Sequence, residues 1–399
     1  MPPWSEDVPA LTAKLRQQAH AEYKARVPPT QLDQDHRDAL IRAINNILSI
    51  EIALTTFAQI IDGLPTANVG LDQRLTHLWD DHPVEFHEEL CTGALDKAKE
   101  VCPRWNLEIL AFKPMLLREF NKATPGSKVF TTRLIELVAT AMHQFGTILY
   151  QLDFRMHKGD VDAAVHAVRP RPFGFTEEEW GKGPPSPPTL FYHPAYKWDE
   201  VYPEGKADMV GYWVEDRIFG GVVVFDRRNE HDSEGRVNPN PPNVYLHPAR
   251  EKVTWRLTQL IDVQQQSLVD FLVKADPDPS SSPLPVIVGL QNRRRVDAEA
   301  AITDYGIFRD VWERQPLTKD EYYLWTSRPR SGLDYPEAYA LMIQGNIVAG
   351  TMSQDLKKRL MNGELDRLLG PDKSRLDLDK LQADEEGSSS KQQSGGGGQ

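Results

Sequence analysis

The stretch YPEGKADMVGYWVEDRIFGGVVVFDRR, residues 202–228, decides how this chain is read. Apolar residues flank a short charged segment, pass through Gly220 and Gly221, and stop at Asp226-Arg227-Arg228. The pattern predicts two antiparallel strands that turn near Glu215-Asp216-Arg217. With the turn centred there, Tyr212 faces Gly220 and covers its bare backbone, and Lys206 faces Asp226 as a cross-strand ion pair. With a shorter loop, Gly211 faces Gly220 and Val210 faces Gly221. Paired strand glycines also suit a ligand niche, but making room for a neighbour is the plainer use. Val222 to Phe225 is apolar on both faces, as in a strand covered from both sides.

Working outward, TLFYH (189–193), NVYLH (243–247) and PVIVGL (285–290) read as further strands. Trp255 to Lys274, Pro336 to Gln344 and Gln354 to Leu369 read as helices. The expected class is α+β: a helical N-terminal region packed on a mainly antiparallel sheet with helices, and a disordered C-terminal tail.

Residues 1–155 form the helical region. Leu11, Leu15, Ala19 and Tyr23 share one helix face. Gln34 to Asp62 reads as one long helix, apolar nearly all round, as expected in the middle of a bundle. Ser127 to Leu152 carries Phe130, Leu134, Val138, Ala141, Phe145 and Ile148 as a stripe. Residues 156–188 are a proline-rich crossing segment, with six prolines between Pro170 and Pro188. Residues 189–382 make the α+β region. The tail, 383–399, is polar and glycine-rich without apolar anchors.

The chain has 399 residues, 40% hydrophobic and 26% charged, which places it among soluble globular proteins of roughly two or three domains. A net charge of −12 argues against a binder of nucleic-acid backbones. The compact basic cluster Arg293-Arg294-Arg295 reads as a solvated helix start. The N-terminus shows no secretory pattern, and the apolar stretch from Ile47 to Ile61 is shorter than the ~20 residues of a membrane span. The expected setting is cytoplasmic, with the nucleus also open. Cys91 and Cys102, if on one helix, stand ~16 Å apart along its axis, beyond disulfide reach. Both read as buried reduced thiols.

YPEGKADMVGYW, GGVVVFDR and the later YGIFRDVWER resemble segments shared among uncharacterised proteins of filamentous fungi. The likeness covers about Thr189 to Arg314, roughly a third of the chain. It implies a fungal, intracellular setting and an association with specialised metabolism. It brings no activity, cofactor or catalytic residue with it.

Two apolar runs end alike, in His-Pro-Ala at His193 and His247. Proline keeps the preceding residue extended and ends the ladder, so both histidines belong at strand ends. Two imidazoles there suit a shared metal or an acid–base pair, with His231, Asp232 and Glu230 as support and Asp208, Tyr212 and Asp226 as further polar candidates. The plainer reading is capping or surface histidines. HLWDDHPVEFHEEL offers His82 and His87 as metal candidates, but five residues put them ~140° apart on a helix. Asp81 and Glu85 fit capping and the helix dipole. His143, beside Thr140 and Thr147 on the polar side of its helix, reads as part of a solvated face or as the maker of an interhelical hydrogen bond. No nucleotide, hydrolase or kinase motif is present, so cofactors stay unknown.

The resulting expectation is a non-catalytic binding or accessory protein that takes a protein partner or a small molecule, with no nucleic acid and no membrane. The alternative is an enzyme of unfamiliar type acting on a small metabolite, with its pocket near His193 and His247.

Overall fold

The 206–219 segment is a helix. In the computed structural model, Lys206–Phe219 forms fourteen helical residues closed by Gly220, whose φ of 92° lies in the left-handed region and whose N–H donates to Asp216 O. Every residue from Ala207 to Phe219 is buried. A helix buried all round loses its amphipathic period, and its apolar run then reads like a doubly covered strand. The expected hairpin, with Tyr212 over Gly220 and Lys206 against Asp226, is therefore corrected. The glycines serve the turn from helix to strand. A Cβ at Gly220 would come 2.3 Å from Val286 O, and one at Gly221 would come 2.9 Å from the His247 carbonyl carbon.

The structure describes residues 8–72, 82–159, 161–167, 176, 188–228, 230–231, 238, 243–250, 253–289, 291–315, 334–366, 373–374 and 376–378. Most of the proline-rich crossing, Asp81, Asp232 and the 383–399 tail lie outside them.

Helices run in the order α1 (Val8–Lys24), α2 (Gln34–Leu48), α3 (Glu51–Asp62), α4 (Ala67–Asp72), α5 (Ala94–Val101), α6 (Pro114–Lys122), α7 (Lys128–Gln151), α8 (Val161–His166) and α9 (Lys206–Phe219). Next come β1 (Val222–Asp226), β2 (Val244–His247), β3 (Leu257–Gln259), α10 (Asp262–Val273), β4 (Arg295–Val296), α11 (Ala298–Ala301), β5 (Ile307–Phe308), α12 (Pro336–Ala349) and α13 (Gln354–Met361). The five strands pair antiparallel in the order β4-β3-β2-β1-β5. The class is thus α+β.

Several sequence expectations shift with these boundaries. The long helix 34–62 is two, α2 and α3, bent by 73°. Among the described residues no single helix is long and apolar enough to cross a membrane. TLFYH and PVIVGL supply no strand. Trp255 to Lys274 is strand β3 and then helix α10. Arg295 begins β4 and not a helix. Cys91 precedes α5 and Cys102 follows it, both as free thiols. α7 agrees closely with its sequence stripe and is capped by Ser127, whose side chain accepts from Phe130 N.

The chain forms two compact units, Met1–Val288 with Arg294–Thr326, and Gly289–Arg293 with Ser327–Gln399. In the first unit one apolar core runs from α2, α3 and α7 through Trp213, Val214 and Ile218 of α9 to Val223 and Phe225 of β1 and Leu268 of α10. Asn46 of α2 fastens α10 by donating to the Phe271, Leu272 and Lys274 carbonyls at 2.9–3.0 Å. Val222 and Val224 point the other way, into a second cluster with Tyr196, Tyr202, Tyr212, Leu257, Trp312 and Leu15 of α1. Strand β1 is therefore covered on both faces, as its apolar run predicts. The second unit gathers around Ala340, Ile343, Ile347, Met352 and Leu360 of α12, α13 and their connection.

Candidate functional site

α7 and α9 cross where Gly211 lacks a side chain. A Cβ there would lie 2.6 Å from the His143 ring, so the glycine makes room for the imidazole between the two helices. His143 Nδ1 meets Glu215 Oε1 at 2.8 Å and Nε2 meets Asp208 Oδ1 at 3.1 Å. Arg309, arriving after β5, donates from Nη1 to the same Glu215 oxygen at 2.7 Å and lies over the Tyr212 ring at 5.3 Å. Glu215 Oε2 accepts from Val223 N of β1 at 3.3 Å, and Asp208 Oδ2 accepts from Glu204 N at 2.8 Å.

Burial opposes the His143 charge, as does the nearby Arg309, but the hydrogen bonds that its ring donates to Asp208 and Glu215 outweigh both and hold the pKa above its ordinary value. Arg309 and the His143 ring thus meet on Glu215, and Asp208 closes the other side of the ring. The set is buried and internally satisfied.

Beside it lies a second ionic layer. Lys113 Nζ meets Asp310 Oδ1 at 2.5 Å. Arg227 grips Glu136 and Glu230, each at 2.6 Å. Arg133 reaches Glu119, Glu136 and Glu230 at 2.8–2.9 Å, and His231 meets Glu119 at 2.8 Å. Burial works against ionised Glu136, yet Arg227 and Arg133 lower its pKa to about 2.

Two spaces open here. A cavity of about 20 Å³, room for roughly one water, is lined by His143, Asp208, Tyr212, Lys113, Arg309 and Asp310 among others. A cleft of about 230 Å³ follows, lined by Lys113, Met115, Arg133, Glu136, Arg227 and His231 among others. Lys113, Leu116, Glu136 and Arg309 line both.

Asp208 and Tyr212 thus belong to the polar centre, which is organised by His143. Of the two roles expected for that histidine, the solvated face is corrected and the interhelical hydrogen bond is what the structure shows. His193 and His247 end up as buried neighbours with ring centroids 4.8 Å apart. They connect to Tyr212 through Tyr196, which stacks on Tyr212 at 4.5 Å and meets His247 Nδ1 through its hydroxyl at 3.3 Å. His193 accepts from Ala195 N on Nδ1 and donates from Nε2 to His247 O. Burial lowers the pKa of both imidazoles, and for His247 the neighbouring His193 adds to the effect. They are neutral struts inside the fold, so a surface position is corrected. Asp226 stands apart, paired with Arg228 at 2.7 Å.

His82 caps the short 3-10 turn Pro83–Phe86 by accepting from Val84 N. His87 instead turns inward to Asp62 at 3.1 Å, near Cys91 and His157. Burial and then Asp62 push the Cys91 thiol up, and burial alone pushes Cys102 to about 12, opposite to an activated nucleophile.

Sequence reasoning passed over Lys113, Glu136, Arg309 and Asp310. No motif could flag them, because Arg309 and Glu215 are 94 residues apart and Arg227 and Glu136 are 91 apart. No family model, no curated protein and no solved structure matches the chain.

Proposed function

We propose that the protein is a non-catalytic binding protein that takes a small polar ligand in the 230 Å³ cleft beside His143. One observation carries the reading: the groups suited to proton transfer are consumed by one another. A general base needs a free lone pair within reach of its proton. Both nitrogens of His143 face carboxylates, and Glu215 is occupied by His143, Arg309 and a backbone N–H. The network braces a wall and leaves the cleft beside it open.

The cleft lies below the ~300–1,000 Å³ of drug-sized pockets, so the ligand is a small metabolite. Lys113, about one-third exposed, is the most solvent-facing basic group with a fixed charge on its wall, and it favours an anionic group. The net charge of −12 keeps nucleic acid out of the proposal. The fungal, intracellular setting implied by the resemblance suits a metabolite binder.

Thermal unfolding of the full chain against small carboxylates, amino acids, sugar phosphates and nucleotides tests this. A ligand at 100 times its Kd adds ~2.7 kcal/mol, a shift of several degrees. Met115 is exposed on the cleft wall, so Met115→Trp fills the cleft without touching the core. The shift is expected in the wild type and absent in Met115→Trp. A shift that survives Met115→Trp places the ligand elsewhere.

The alternative, an enzyme acting on a small metabolite at the strand ends, has one observation in its favour: His193, His247, Tyr196 and Tyr212 form one continuous chain of tilted and edge-on ring contacts. It predicts that His193→Ala or His247→Ala, with the fold intact, abolishes the shift while Met115→Trp does not.

A further inference from the structure

α3 ends at Asp62, where Gly63 turns the chain in the left-handed region. Around that carboxylate the fold collects His87, Cys91 and His157 from two further segments. One donor atom from each of the four lies within 4.8 Å of the others. Asp62 Oδ2 stands 3.1 Å from His87 Nε2, and Cys91 Sγ stands 3.3 Å from His157 Nδ1. In a tetrahedral site with bonds of ~2.0–2.3 Å, ligand atoms sit about 3.3–3.8 Å apart, so small rotamer adjustments suffice.

Two polar atoms of these side chains are buried without a hydrogen-bonding partner. Asp62 is fully buried and its Oδ1 is unpartnered. His87 is 7% exposed, and its Nε2, although near Asp62 Oδ2, is not aligned for a hydrogen bond with it. Orphaned buried polar atoms lose their hydration without replacement and call for a partner.

The surrounding bonds fix these side chains as ligands are fixed. His87 Nδ1 donates to Pro65 O at 3.0 Å, which leaves Nε2 with its lone pair free, the usual arrangement behind a metal-bound histidine. Cys91 N donates to Asp62 Oδ2 at 2.9 Å. His157 N donates to Asp62 O at 2.8 Å, and Met156 N to Ile61 O at 3.2 Å. Asp153 and Arg155 adopt φ of 50° and 44° on the way into that ladder, a left-handed conformation that is strained for a residue with a side chain.

We propose that Asp62, His87, Cys91 and His157 bind a zinc(II) ion that ties the end of α3 to the 87–91 and 153–157 segments. The donor set decides the metal class. Two imidazoles, a thiolate and a carboxylate suit zinc, whereas calcium and magnesium want oxygen donors throughout. Four protein ligands fill a tetrahedral shell, so the site is structural. Asp62 and His87 form its buried floor, and half-buried Cys91 and His157 form the side on which the ion enters. The site shares no residue with the cleft walls and stands whether or not the cleft takes a ligand.

Full-length protein stripped with a chelator and given one equivalent of cobalt(II) tests this. The expected spectrum shows tetrahedral visible bands and a thiolate-to-cobalt charge-transfer band, both displaced by zinc. The charge-transfer band disappears in Cys91→Ser and persists in Cys102→Ser. His157→Asn, at a half-buried position, weakens zinc uptake more than ~10-fold. In the unaltered chain, zinc slows alkylation of Cys91, and chelator restores it. That arm decides even where a variant fails to fold. An octahedral spectrum, zinc uptake unchanged in both Cys91→Ser and His157→Asn, or equal alkylation of Cys91 with and without zinc overturns the site and marks any bound zinc as adventitious.

Discussion

His143 holds a proton more tightly than a free imidazole does, because two carboxylates accept hydrogen bonds from its ring in the interior. Its raised pKa fixes the sign of a pH dependence. The stabilisation is fully present below the unfolded value near ~6.5 and is lost as pH rises through the higher folded value. Glu136 works in the opposite sense. Its folded pKa of about 2 gives stability that is present above the ordinary carboxylate range and lost as pH falls towards 2. Urea unfolding across pH should therefore show an alkaline limb that His143→Gln flattens and an acid limb that Glu136→Gln reduces. Removing one member of a buried ion pair strands the others. Glu136→Ala, which leaves Arg227 and Arg133 sharing Glu119 and Glu230, is expected to cost ~3–5 kcal/mol in the same assay. A loss below ~1 kcal/mol would mean that water replaces the carboxylate there.

Among the elements, α9 teaches most. Gly220 joins it to β1 with a φ of 92°, and any Cβ would press on Val286 O. Gly220→Val should lose more than ~2 kcal/mol by denaturant titration, while a surface change such as Val263→Ala on α10 stays within about ±0.5. The chemistry of that turn was legible as a pair of glycines, but its geometry was not. A helix with no solvated face shows no 3.6-residue period, so α9 passed for the first strand of a hairpin and its turn. β1 and α7 were legible for complementary reasons. Val222 to Phe225 is too short and too β-branched for a helix, and α7 announces its start with Ser127 and its buried face with the Phe130–Phe145 stripe. The polar centre and the metal cluster were illegible because each is assembled from distant segments. His87 was visible as a candidate, but its partner Asp62 looked like a helix end, and nothing in the sequence tied His157 to it.

At the scale of the whole first unit, helices and sheet share one core through α9, and they should unfold together. Native-state hydrogen exchange is expected to give the slowest amides of α3, α7, α9 and β1 one common opening free energy. An N-terminal helical region that opens alone, well below the sheet, would contradict the shared core. That rigidity also underlies the functional reading, in which a finished ionic frame holds a cleft open and performs no proton transfer. The most direct test is a pH titration of the ring nitrogen-15 spectrum of His143, assigned with His143→Gln. Two protonated nitrogens that lose a proton only above the ordinary imidazole midpoint of ~6.5 are the predicted result. A neutral ring with one free nitrogen titrating near ~6.5 would contradict the account and hand the site a general base.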